Sequence, residues 1–131
     1  MGMLDAAAGR VADGATVQFR PSGSSMVPLI RSRQQVAVAP VDPSKLEAGD
    51  IVLARVSGTV YLHLISAVDR TRKRVQISNN RGRINGWTSY DRVFGICLTV
   101  DGVARTGAKG KIRTDPPTAS TTPNIRSLRN T

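Results

Sequence analysis

Cysteine and histidine are almost absent from this sequence, which has one of each among its 131 residues. A single cysteine excludes an internal disulfide and fits a protein of a reducing compartment, so a cytoplasmic location is expected. One histidine and one cysteine cannot supply the four ligands of a structural zinc site, and neither a metal nor another cofactor is predicted. No stretch approaches the roughly 20 apolar residues of a membrane-spanning helix, and the N-terminus does not read as a secretory signal.

Aromatic residues are also scarce, at 4% of the chain. Valine, isoleucine, leucine and alanine must therefore build the interior. A chain of this length has room for one such core, which predicts a single domain.

Acidic residues are few: 9 Asp and Glu stand against 19 Lys and Arg, which gives a formal net charge of +10. Half of this charge falls in residues 104–131, where six basic residues face one acidic residue. A central cluster contains six more basic residues: Arg70, Arg72, Lys73, Arg74, Arg81 and Arg83. Either region could bind nucleic acid or another polyanion, and either could be a solvated surface. No aromatic residue is interleaved with these charges, so stacking on bases is not indicated.

Short β-strands dominate the predicted fold. Residue patterns predict a helix at 3–12 and strands at 16–19, 36–40, 51–56, 59–68, 74–78 and 93–100. Residues 79–87, rich in Asn, Gly and Arg, are predicted to form a loop. The expected domains are an N-terminal helical arm at 1–14, a β domain at 15–103 and a basic flexible tail at 104–131, whose composition cannot bury enough apolar surface to fold.

The stretch most informative about function is Ser-Gly-Ser-Ser-Met-Val-Pro at residues 22–28. The glycine before Ser25 and the proline after it predict a tight bend from which the serine hydroxyl can project. His63, the only histidine, follows inside the apolar run Val-Tyr-Leu-His-Leu-Ile at residues 60–65. A serine and a neutral imidazole held on separate segments are the minimum set for acyl transfer.

This serine stretch resembles the nucleophile box of the signal peptidase I and SOS-repressor-type (LexA-like) serine peptidases, in which Ser-Met is followed by Pro one residue on. Glu-Ala-Gly-Asp-Ile-Val at residues 47–52 is similar to that family's Gly-Asp turn, and Val-Phe-Gly-Ile at 93–96 is similar to its final strand. The resemblance covers about residues 15–100. It implies a mainly β fold of small, coiled, antiparallel and barrel-like sheets. It also implies that Ser25 is the nucleophile, that His63 is the base as in the family's histidine variant, and that the Ser25 N–H with the Ser24 hydroxyl binds the oxyanion.

The third catalytic group is left open. The histidine variant uses an aspartate in a Gly-Asp-Asn segment, and the matching stretch here, Ile-Ser-Asn-Asn-Arg-Gly at residues 77–82, contains no acid. Asn80 is one candidate to orient His63. Asp69 and Asp91 are candidate acids, and spacing does not choose between them.

Two functions of different classes remain open. One is a serine peptidase-like domain that cleaves a peptide bond in a protein substrate or in itself, with Ala8–Gly9 as the expected internal bond. The other is a catalytically inactive assembly subunit, for example in a virus particle, that keeps the fold, forms oligomers and docks on protein or nucleic acid through its basic tail. Neither a membrane anchor nor a DNA-binding domain is visible in the sequence.

Overall fold

One helix and eight strands make up the fold in the computed structural model, which describes residues 2–113. The elements in chain order are α1 (Met3–Ala12), β1 (Val17–Phe19), β2 (Val36–Pro40), β3 (Ile51–Val56), β4 (Thr59–Asp69), β5 (Arg74–Ser78), β6 (Ile84–Ser89), β7 (Val93–Val100) and β8 (Val103–Ala104). Single-turn 3-10 helices lie at Pro43–Lys45, Tyr90–Arg92 and Lys109–Lys111. In this part of the chain no helix is long and apolar enough to cross a membrane.

The two central strands, β3 and β4, form a hairpin because their loop has the residues that a two-residue turn needs. Val56 pairs with Thr59, so only Ser57 and Gly58 connect the strands. Both loop residues have positive φ, +48° and +85°. These angles match the right-handed twist of the strands, which ordinary turns would splay apart.

The strands form one antiparallel sheet in the order β1-β2-β7-β3-β4-β5-β6, with β8 added beside β7. This confirms the mainly β prediction with its short N-terminal helix. The sheet is not closed into a barrel, because β1 and β6 remain at the two ends of the order. It is nevertheless strongly coiled, since register shifts interrupt several strand pairs and the Thr88 hydroxyl of β6 reaches the Arg55 carbonyl of β3 at 2.6 Å.

Both faces of the sheet are covered, so the core has two halves. Ile51 and Leu53 of β3 pack with α1 in one half, and the alternate residues Val52 and Ala54 pack in the other. Gly95 of β7 allows the close approach of α1. A Cβ at this position would lie 2.6 Å from a Val11 methyl and 2.5 Å from the Ala39 carbonyl oxygen.

The prediction of a loop at residues 79–87 is wrong for residues 84–87, because β6 begins at Ile84. About six strands were expected, and the structure has eight. Gly86 and Trp87 of β6 pair with Ile77 and Gln76 of β5. Pairing with a strongly β-forming neighbour therefore overrides the weak strand propensity of the Asn- and Gly-rich segment.

The folded domain continues to residue 113 rather than ending at 103. Ala108 is buried, and Lys111 forms ion pairs with Asp50 at 2.7 Å and with Glu47 at 2.8 Å. The Arg113 N–H donates to the Pro40 carbonyl at 2.9 Å. The prediction that a flexible tail begins at residue 104 is therefore corrected for 104–113, because Lys111 in this segment pairs with the buried Asp50. The rest of the predicted tail, 114–131, lies outside the described residues.

Candidate active site

The serine stretch forms a closed loop anchored in the core. The Arg33 N–H donates to the Pro21 carbonyl at 2.7 Å, which joins the two ends of the loop. Gly23 adopts φ +110°, a conformation that few other residues accept. Met26 and Ile30 are buried in the same half of the core as α1, so the part of the loop that follows Ser25 is fixed.

Asn80 holds this loop from the neighbouring β5–β6 connection. Its N–H donates to the Ser25 carbonyl at 2.8 Å, and its side-chain amide donates to the Val27 carbonyl at 2.9 Å. Asn80 therefore supports the serine loop, and the prediction that it orients His63 is wrong.

Ser25 and His63 lie in hydrogen-bond contact. The Ser25 Oγ is 3.1 Å from the His63 Nε2, although 38 residues separate the two positions. His63 lies on β4 opposite Val52 and is only 8% exposed. The Tyr61 ring stacks on the imidazole with centroids 4.9 Å apart, which limits how the imidazole can turn.

The third member of the group is Asn85. Its Oδ1 lies 2.7 Å from the His63 Nδ1. Gly86 pairs with Ile77 and Ile84 pairs with Ser78, so Asn85 is the extra residue of a β-bulge. Bulges of this kind change the direction of a side chain, and here the bulge directs the carboxamide to the imidazole.

The Asn85 contact sets the tautomer of His63. An amide oxygen can only accept a hydrogen bond, so the His63 Nδ1 must carry the proton that it donates to Asn85. The Nε2 atom therefore keeps its lone pair, which faces Ser25. Burial lowers the pKa of His63 from its usual 6.5, and the hydrogen bond to Asn85 offsets part of this effect. The imidazole is therefore neutral at pH 7 and able to accept the serine proton.

A small cavity of about 70 Å³ lies beside the Ser25–His63 pair. Its lining includes Gly23, Met26 and Tyr61. Within residues 2–113 the Ser25 N–H donates to no protein acceptor, and the exposed Ser24 hydroxyl has no protein partner there. The Ser25 N–H is thus free to bind an oxygen atom that develops negative charge at Ser25, whereas Ser24 does not line the cavity.

Neither candidate acid contacts His63. Asp69 lies at the far end of β4, where it faces Arg74 at 3.7 Å and accepts from the Arg72 N–H. Asp91 accepts a hydrogen bond from the Ser89 hydroxyl. Sequence spacing gave no signal for Asn85, because its contact depends on a bulge in a strand that was predicted as a loop.

The predicted polyanion-binding cluster does not form one patch. β5 separates its members: Arg70, Arg72 and Lys73 lie in the turn before this strand, Arg74 is its first residue, and Arg81 and Arg83 lie in the connection after it. The Arg70 guanidinium is occupied by the carbonyls of Ser44 at 2.6 Å and Leu46 at 2.8 Å.

Comparisons of the chain with protein-family models, curated proteins and solved structures find no match. The family resemblance therefore stays a prediction from the sequence.

Proposed function

We propose that this protein is a serine peptidase-like hydrolase with a Ser25–His63–Asn85 group. The observation that carries the proposal is the pair of contacts on one imidazole, 3.1 Å to the Ser25 Oγ and 2.7 Å to the Asn85 Oδ1. A nucleophile, a base and a group that orients the base are the three parts that covalent acyl transfer needs.

In the proposed reaction, the His63 Nε2 accepts the Ser25 proton as the Ser25 Oγ attacks the substrate carbonyl carbon. The Ser25 N–H stabilises the resulting oxyanion. The imidazolium then gives its proton to the leaving amine, and an acyl-serine remains. Water, deprotonated by His63, hydrolyses this ester and regenerates the Ser25 hydroxyl.

The substrate is a peptide bond in a separate protein. Ala8–Gly9, the expected internal bond, lies inside α1, and Ala8 is buried. A helical bond cannot enter the site as an extended strand without unfolding α1. The 70 Å³ cavity beside Ser25 favours a small side chain next to the cleaved bond.

An assembly subunit that keeps this fold without catalysis is the second candidate. The neutral Asn85 favours it, because an amide stabilises an imidazolium less than a carboxylate does.

A fluorophosphonate probe followed by intact-protein mass measurement tests the proposal. The wild-type chain should gain one probe adduct, and Ser25→Ala should gain none. His63→Gln should label at least about 100-fold more slowly, since a positioned general base contributes 10²–10⁴-fold. Ser66→Ala, an exposed serine on the same strand as His63, is the matched control and should label like wild type. Equal labelling of wild type and Ser25→Ala would exclude the peptidase and favour the assembly subunit.

A further inference from the structure

A second cleft, rich in arginine, lies away from Ser25. It has a volume of about 290 Å³ and opens where the β3–β4 turn, the β4–β5 turn and the end of β6 meet. The lining includes Arg72, Arg74, Arg92 and Trp87. None of its lining residues belongs to the cavity beside Ser25.

The arginines of this cleft have donors without protein acceptors. In residues 2–113 the Nε of Arg74 is buried and makes no hydrogen bond. The nearest carboxylate, Asp69, is 3.7 Å away, beyond hydrogen-bond distance. The side chains of Arg72 and Arg92 also donate to no protein group in this range and are exposed. A planar fork of free N–H donors fits the oxygens of a phosphate.

An aromatic surface adjoins these donors. Trp87 is 39% exposed, and the Arg74 guanidinium lies 5.0 Å from its ring centroid. The sequence has no aromatic residue between the central basic residues, but the pairing of Gln76 with Trp87 brings the indole to them. The fold thus supplies the combination of cationic groups and a stacking platform that the linear sequence does not show.

Charge favours an anion in this cleft. Three arginines line it and no carboxylate does. Two acids lie nearby and each accepts a hydrogen bond from another group: Asp69 accepts from the Arg72 N–H, and Asp91 accepts from the Ser89 hydroxyl. A net charge of +10 on the chain adds a general attraction for polyanions.

We propose that this cleft binds a nucleotide, either free or as a unit of single-stranded nucleic acid. The base stacks on Trp87, and the phosphate lies on Arg72 and Arg92. A cleft of about 290 Å³ is at the lower end of the range for small-molecule sites, which suits one nucleotide unit. This site is independent of peptide hydrolysis at Ser25.

Two measurements on the 131-residue chain test the proposal. Because Trp87 is the only tryptophan, its fluorescence reports directly on stacking. AMP should quench it, whereas inorganic phosphate alone should not. The anisotropy of a labelled oligo-dT then compares two double variants, Arg72→Gln/Arg92→Gln and the control Arg81→Gln/Arg83→Gln, which removes the same charge at the other end of β5. Residues 114–131 are present in both variants, so their contribution cancels.

The first variant should weaken oligo-dT binding at least tenfold more than the control. For this variant, the slope of the logarithm of the binding constant against the logarithm of the salt concentration should be shallower than for wild type by about 0.7 for each arginine removed. Trp87→Phe should also weaken binding several-fold. Tighter binding of oligo-dT than of AMP would identify a strand as the ligand, and equal binding would identify a free nucleotide. Equal effects of the two double variants, or no quenching by AMP, would overturn the proposal.

Discussion

His63 is neutral because its ring is buried and the two groups that it hydrogen-bonds, an amide and a hydroxyl, carry no negative charge. It is 8% exposed, and its Nδ1 contacts an amide oxygen rather than a carboxylate. Desolvation therefore dominates and lowers the pKa of His63. A base of this kind is ready at pH 7, but it gains less stabilisation when it becomes an imidazolium.

Asn85→Asp should raise the pKa of His63 above its wild-type value, because a carboxylate beside Nδ1 favours the protonated ring. Since His63 is the only histidine, its ring resonance can be followed by NMR without ambiguity. The control is Asn79→Asp, in the connection that precedes β6, where the Asn79 side chain accepts from the N–H groups of Arg81 and Arg83. An equal pKa in wild type and Asn85→Asp would show that the Asn85 contact does not form.

Among the site residues, the sequence predicted the contact between Ser25 and His63 but not the role of Asn85. The first two lie in a recognisable box and in a strongly apolar strand, whose positions follow from local pattern. The third depends on a register shift between β5 and β6, which is a property of two paired strands and not of either segment alone.

Strands β2, β3, β5 and β7 have the bounds that the sequence predicts, because each contains at least two buried valine, isoleucine or leucine residues at strand spacing. The same reasoning missed β6, where Ile84 and Trp87 are exposed and Asn85 and Gly86 are weak strand formers. Buried apolar strands are thus readable from sequence, whereas an edge strand is fixed mainly by its neighbour.

The segment at residues 105–113 is held by a buried ion pair. The Lys111 ammonium lies 2.7 Å from the Asp50 carboxylate, and the two side chains are 11% and 10% exposed. Asp50 also accepts the Glu47 N–H at 2.8 Å, which fixes the turn before β3. This one lysine therefore ties the end of the described chain to the start of a central strand.

Lys111→Met should lower the free energy of unfolding by about 3 kcal/mol, because it leaves the Asp50 carboxylate buried without its partner. Urea unfolding followed by Trp87 fluorescence measures the change. Lys109→Ala, an exposed lysine in the same turn, is the control and should change stability by less than about 0.5 kcal/mol. Equal effects of the two variants would mean that the ion pair does not stabilise the fold.

At the scale of the whole molecule, residues 104–113 belong to the domain. A chain that ends at Val103 lacks the Lys111 ion pairs, the buried Ala108 and the bridge between Val41 and Ile112. We expect it to be less stable than Lys111→Met, or unfolded.

A chain that ends at Arg113 keeps every one of these contacts and serves as the control. Its urea midpoint should match that of the 131-residue chain. If the chain ending at Val103 unfolds at the same midpoint as the chain ending at Arg113, the segment contributes nothing to the domain.

Activation of Ser25 by His63 is tested most directly by the pH dependence of fluorophosphonate labelling. Only the neutral imidazole accepts the serine proton, so the rate constant should rise with pH and reach a plateau. Its midpoint should equal the NMR pKa of His63, below the usual 6.5. A rate that does not follow the titration of His63, or that persists unchanged in His63→Gln, would contradict a catalytic Ser25–His63 pair.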